Sequence, residues 1–377
     1  MQVEEVHFNH DPSSAGRDAL TICRNAAAGA AITAPEWRRS PAKNEPAAYA
    51  RDALTGPVEI KARLSGGPPE TTVEVRAVDA DEPVRRSGCA GTLIWLLEKV
   101  VDALFGTVGE VAPKLVTFDG AGDSGLETFT LNSRWLGPGG FVSRRDNVWR
   151  WQYRDGGRWK DFDTTDHVVY VVLDLPGDPW VQSGDPTQLP WADALERACR
   201  WAVGADTTDA TAERITRRVN RVADVSYTPA TMFGFTTYQL SSYLGHLGGG
   251  PFVMNCTDCA NAVTTLSNLL GCRLAEGQFF NMQTEPFLTL SGDPSDPADW
   301  VTWSWSYHEI CWLHDFSSDT VWDGCLQLDM SDTPGTRQPR LPVKMAFDTS
   351  SPDDYKSRLI ASGPGTLASS VRHRPVA

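Results

Sequence analysis

Residues 254–271, MNCTDCANAVTTLSNLLG, place two cysteines, Cys256 and Cys259, at the start of a predicted helix. Cys256 falls in the first turn, where unpaired backbone N–H groups and the positive end of the dipole favour a thiolate. Cys259 falls on an apolar stripe with Ala262, Val263, Leu266, Leu269 and Leu270, spaced by threes and fours. Asn255 and Asp258 suit a capping box, and Gly271 suits the helix end. Further on, WSWSYHEICWL (303–313) and VWDGCLQLD (321–329) read as two strands joined by the polar turn HDFSSDT. An antiparallel hairpin with Trp312 opposite Asp319 sets His308 directly opposite Asp323, with Cβ atoms about 4.5–5.5 Å apart. A one-residue slip would separate them. Together these three side chains suit nucleophilic acyl transfer. A cysteine attacks a carbonyl, a histidine holds it as thiolate and protonates the leaving group, and an aspartate fixes the histidine tautomer. Backbone N–H groups at the helix start can hold the oxyanion. His314 and Asp315 lie in the turn and read as solvated.

The rest of the chain must position these residues. It has 377 residues, 41% of them hydrophobic and 10% aromatic, enough for a sizeable core in two or three domains. A net charge of −14 argues against nucleic acid or an anionic membrane as a partner. The longest apolar stretch, GCAGTLIWLLEKVVDALFG (88–106), contains Glu98, Lys99 and Asp102 and is too short to span a bilayer, so it reads as an amphipathic helix. The first residues, MQVEEVHFNHDPSS, carry no basic segment followed by an apolar one, hence no signal peptide. The expected location is cytoplasmic, with an export route not written in the N-terminus left open. Eight cysteines in a chain of this length do not suggest a disulfide scaffold.

The expected fold class is α+β. Residues 1–56 read as an irregular, short-helical lead segment. Alternating strands such as VEIKARL, TTVEVRAV and VWRWQYR predict an antiparallel β-sandwich over 57–176, with the 88–106 helix inside it. PGDPWVQSGDP opens a linker at 177–189. Residues 190–335 combine helices with the aromatic hairpin, and 336–377 read as a loosely attached tail. Three other roles compete for the cysteines. Cys256-x-x-Cys259 also suits a redox pair. A zinc site would draw on Cys256, Cys259, Cys272, His308, Cys311 or Cys325. A purely structural or binding protein needs no reactive thiol.

Cys256-Thr-Asp258-Cys-Ala260, followed by an apolar helix ending at Leu269-Leu270-Gly271, resembles the C-x-D-x-A nucleophile motif of the transglutaminase-like superfamily. The fifteen-residue interval from His308 to Asp323 is similar to that family's histidine and aspartate on adjacent strands. The resemblance spans about 190–330 and includes the helices at 190–222. It implies a papain-like domain of helices packed on an antiparallel sheet. It also implies Cys256 as nucleophile, His308 as general base and acid, and Asp323 as orienter. The chain departs from the pattern at Cys259, and at His308-Glu309-Ile310, where Trp312 comes two residues late for H-x-W. The oxyanion-hole side chain has only Tyr238 and Gln239 as candidates. The implied reaction is cysteine-dependent hydrolysis of a peptide or amide, as in a cysteine protease or amidase, since water needs no second site. Transamidation or amide-bond formation with an amine acceptor is the alternative. The implied partners are a protein or peptide substrate, or a small amide or amine. Neither cofactor nor metal is required.

Overall fold

Trp149, Trp151 and Tyr153 alternate with Arg150, Gln152 and Arg154, and the strand this pattern predicts is Ser143–Asp155, with both tryptophans fully buried. It belongs to a computed structural model that describes residues 1–10, 18–80, 109–133, 136, 139–180, 188–313, 320–368 and 372–377. The chain is mixed α and β, mostly sheet, and divides into two units: Met1–Leu175 with Leu189–Asp206, and Pro176–Gln188 with Thr207–Ala377. No helix among the described residues is long and apolar enough to cross a membrane.

In the first unit the strands are β1 (Gln2–His7), β2 (Trp37–Arg38), β3 (Lys43–Asn44), β4 (Ala47–Ala50), β5 (Glu59–Ser65), β6 (Thr72–Asp79), β7 (Glu110–Thr117), β8 (Leu126–Asn132), β9 (Ser143–Asp155) and β10 (Arg158–Val172). They form one hydrogen-bonded path, β3-β2-β1-β5-β8-β7-β6-β9-β10-β4, antiparallel except for the parallel β10–β4 pair. The lead segment, expected to be irregular, supplies four of these strands. Three of them, β2, β3 and β4, have only two to four residues, and β4 is buried at every position, so none of the three shows a period of two. Helix α1 (Ala192–Trp201) packs on β9 and β10 in this unit. The expected 88–106 helix lies outside the described residues.

His167 sits in this core, its ring 4.7 Å from Trp149 and 5.1 Å from Phe8, with Nε2 2.8 Å from Thr165 Oγ1. Burial pushes its pKa down to about 3. The unfolded chain takes up a proton near pH 6.5 that the folded unit refuses, so this contribution to stability is full above pH 6.5 and is lost as pH falls towards 3. At pH 5 the loss is about 2 kcal/mol. His167→Leu is expected to flatten that acid limb in urea unfolding followed by tryptophan fluorescence between pH 7 and 4.

The second unit holds helices α2 (Thr208–Asn220), α3 (Leu240–His246), α4 (Cys256–Leu269) and α5 (Tyr355–Leu359). Its strands are β11 (Val225–Tyr227), β12 (Phe252–Met254), β13 (Ala275–Thr284), β14 (Phe287–Leu288), β15 (Trp300–Val301), β16 (Ser304–Trp312), β17 (Thr320–Trp322), β18 (Gln327–Asp329), β19 (Pro339–Arg340), β20 (Met345–Ala346), β21 (Ile360–Ser362) and β22 (Thr366–Leu367). The central sheet runs β20-β17-β16-β13-β21, with β22 also paired to β13, all antiparallel. A four-stranded sheet, β15-β14-β18-β19, and the parallel pair β11–β12 complete the unit.

Helix α4 packs on β13, β16 and α2. It was expected to bury one stripe, yet every one of its residues is buried. Two polar groups of the helix find partners in a segment outside it. Asn268 Nδ2 donates to Asp178 O at 2.7 Å, and Trp180 Nε1 donates to Thr265 O at 2.8 Å. Residues 176–180, read as linker from their Pro and Gly content, therefore cover α4. The expected tail contributes Phe347, Tyr355 and Leu359 to the core beside β16 and pairs β21 and β22 with β13.

Candidate active site

Cys256 opens α4, preceded by Asn255 as N-cap. Asn255 Oδ1 accepts from Asp258 N at 3.0 Å, and Asp258 Oδ2 accepts from Asn255 N at 3.2 Å, a complete capping box. The Asp258 carboxylate also accepts from Met232 N and Phe233 N, both at 2.9 Å, which ties the preceding loop to the helix start. Burial pushes the Asp258 pKa up, and these N–H donors pull against it. By helix geometry the N–H groups of Cys256 and Thr257 have no partner within α4.

Opposite stands a buried histidine–carboxylate pair. His308 Nε2 and Asp323 Oδ2 are 2.9 Å apart, with both residues at most 1% exposed. Asp323 Oδ2 also accepts from Tyr355 Oη at 2.7 Å, and Asp323 Oδ1 accepts from Cys325 N at 2.7 Å. The hairpin register differs from the expected one: β16 and β17 pair Cys311 with Trp322 and Trp312 with Val321. The slip is two residues, an even number, so Asp323 stays on the side of His308 as a diagonal rather than a direct neighbour. The strand ends before Asp323, whose N–H donates instead to Pro342 O at 2.8 Å. Gly324 then passes the helices so closely that a Cβ there would lie 3.1 Å from Val219 and Val263. His314, Asp315 and Asp319 lie outside the described residues.

Burial alone would push the His308 pKa down; the Asp323 carboxylate and its hydrogen bond overcome this and push it up to about 10. The imidazole is therefore charged across the neutral range. Its Nδ1 is buried without an aligned hydrogen bond, leaving it as the nitrogen open to the Cys256 thiol. Burial raises the Cys256 pKa, and contact with His308 pulls it back. The helix start favours a thiolate by its dipole; burial opposes this, and His308 acts in the same direction as the dipole. The Trp305 ring stacks on the imidazole at 4.5 Å and 6°, fixing its plane.

Cys256 lines a cavity of about 390 Å³ with Tyr227, Pro229, Asn255 and residues 303–307. Tyr238 and Gln239 do not line it; Tyr238 is fully buried and Gln239 is exposed. Cys259 lies deeper, beside the Cys325 thiol. Cys272 Sγ donates to Thr208 O at 3.5 Å and Cys311 Sγ to Ala260 O at 3.3 Å. Among the described residues no group of three or more His, Cys, Asp or Glu side chains could hold a metal.

Sequence reasoning missed Tyr355 on Asp323. It also missed a buried network behind the helix start. Thr257 Oγ1 donates to Glu309 Oε2 at 2.8 Å, and Arg374 donates to Glu309 Oε1 at 2.7 Å, to Glu276 Oε2 and to Asn261 Oδ1 at 3.1 Å. The only local signal was a charged residue inside an aromatic strand, HEICW.

No family model matches the chain, and no curated protein does. Among solved structures, 47 chains match. One is the crystal structure of red sea bream transglutaminase, at a TM-score of 0.39 and 10% identity, over 78% of this chain and 51% of that one. The chain thus spans about half the length of that structure.

Proposed function

We propose that the second unit is a cysteine-dependent acyl transferase of the transglutaminase-like kind, with Cys256 as nucleophile, His308 as general base and acid, and Asp323 as orienter. The observation that carries this reading is the buried His308–Asp323 hydrogen bond, which leaves Nδ1 for a thiol at a helix start inside a cavity. The thiolate attacks an amide carbonyl, and the N–H groups of Cys256 and Thr257 stabilise the oxyanion. The His308 imidazolium gives its Nδ1 proton to the leaving amine, whose C–N bond breaks to leave a thioester. Neutral His308 then takes a proton from water, and the attacking hydroxide releases the acid and restores the thiol. Hydrolysis is the default because water needs no site of its own. An amine in the same place would make the reaction a transamidation. In the papain-like arrangement expected from the sequence, α4 would supply the nucleophile and the central sheet the other two residues.

The reading is tested by the rate of iodoacetamide labelling against pH, with peptide mapping, for the native chain and His308→Ala. His308 pulls the thiol pKa down against burial, so its removal lets that pKa rise. Labelling of Cys256 at pH 7 is expected to fall at least ~10-fold, because the thiolate is the reacting form. Equal rates in the two proteins, or labelling of Cys259 in preference to Cys256, would refute the pairing.

A further inference from the structure

Residues 303–307 are five consecutive positions, and all five line the cavity that contains Cys256. Successive side chains of a strand point to opposite faces. A single cavity that touches every one of them therefore runs along the edge of β16 rather than over one face. The pairing is consistent with this. On one side β13 pairs along β16 from Ser304 to Trp312. On the other side β17 pairs only with Cys311 and Trp312, so among the described residues no strand covers the edge at 304–308.

Open edges invite pairing, and soluble proteins blunt them with lysine, proline, bulges or a covering element. The edge WSWSYH has neither lysine nor proline. Its cavity instead has aromatic walls. The Tyr227 and Trp303 rings lie 5.0 Å apart at 40°, Trp303 and Trp305 lie 6.1 Å apart, and Trp305 continues the surface to His308. No charged side chain lines this space. A charged group entering it would lose water without gaining a partner, whereas a planar uncharged group would stack.

We infer that the 304–307 edge of β16 is the docking edge for an extended polypeptide acyl donor, added to the sheet as a further strand, with an uncharged aromatic side chain laid against the packed Tyr227 and Trp303 rings. Main-chain hydrogen bonds to the edge supply affinity and the aromatic surface supplies selectivity. The inference rests on the acyl-transfer reading and narrows its substrate from any amide to a peptide held by its backbone.

The test uses chloromethyl ketones, which the thiolate alkylates at carbon with loss of chloride, forming a thioether. Four reagents are compared: acetyl-Phe-Gly chloromethyl ketone, the same compound N-methylated at the glycine nitrogen and acetylated on an N-methylated phenylalanine, the Asp-Gly analogue, and chloroacetamide. Each rate at Cys256 is divided by the reagent's rate with free N-acetylcysteine. The Phe-Gly reagent is expected to exceed chloroacetamide by at least tenfold, N-methylation to remove that advantage, and the Asp-Gly reagent to fall below the Phe-Gly one. Trp303→Ala is expected to lower the Phe-Gly rate by a larger factor than the chloroacetamide rate. If the N-methylated reagent reacts as fast as its parent while iodoacetamide labelling still depends on His308, the edge is not used and the acyl-transfer reading stands. If Cys256 reacts with no reagent beyond the rate of a free thiol, both fall.

Discussion

A Cys256→Ala chain is expected to lose acyl transfer by a factor on the order of 10⁴ or more, the scale seen when a nucleophile is deleted and only binding and the oxyanion site remain. No neighbouring thiol can replace it. Cys259 is one helical turn deeper, 1% exposed and set against Cys325, and it does not line the cavity. Cys259→Ala is accordingly expected to keep activity within about threefold, because it removes a small buried side chain rather than a reacting atom. The contrast separates the acyl-transfer reading from a dithiol reading, in which either substitution abolishes function. The measurement is the burst of nitrophenol from p-nitrophenyl acetate, with intact mass to detect one added acetyl group. An acetylated Cys256→Ala protein whose label maps to Cys259 would overturn the assignment.

Arg374→Met is expected to destabilise the second unit by about 3–5 kcal/mol, the cost of leaving a buried charge without its partner. Arg374 is 3% exposed and stands between Glu276 and Glu309, each 1% exposed, and it also donates to Phe235 O at 2.6 Å. Burial already pushes the Glu276 pKa up to about 8 with the arginine in place. A carboxyl whose folded pKa is raised contributes stability that is full below its unfolded value, near 4.5, and is lost as pH rises through the folded value. Arg374→Met pushes that value higher, so its penalty is expected to be smaller at pH 5 than at pH 8. Adding Glu276→Gln and Glu309→Gln to Arg374→Met should recover most of the loss, since amides need no counter-charge. Urea unfolding of the three proteins at both pH values is the measurement. An equal penalty at both, with no recovery in the triple variant, would mean that packing around the Arg374 stem, rather than charge, sets the cost. Glu309 accepts from Thr257, the residue after Cys256, so labelling of Cys256 in these variants also reports whether the network holds the helix start in place.

The candidate site was legible where its physics is local. A capping box closes within four residues, and the helix that follows Cys256 announces itself by spacing alone. The pairing of His308 with Asp323 was also legible, for a reason that tolerates error: side-chain direction in a strand repeats every two residues, so a register wrong by two still leaves both on the same side. The strands β5, β6 and β9 are long enough to show alternation, and they lie where it predicts them.

Other features were decided only by tertiary structure, because their partners lie far along the chain and impose no period. The polar face of α4 is buried by segments such as Trp180, which is 85 residues from the carbonyl it meets. Tyr355 reaches Asp323 across 32 residues and Arg374 reaches Glu276 across 98. Strands of two or three residues, such as β2, β17 and β20, have too few positions to show any alternation, and neighbouring strands hold them in place. Local sequence thus determined which residue types stand at the helix start and on the hairpin. Long-range packing determined how deeply they are buried, and through burial the charge each carries at neutral pH.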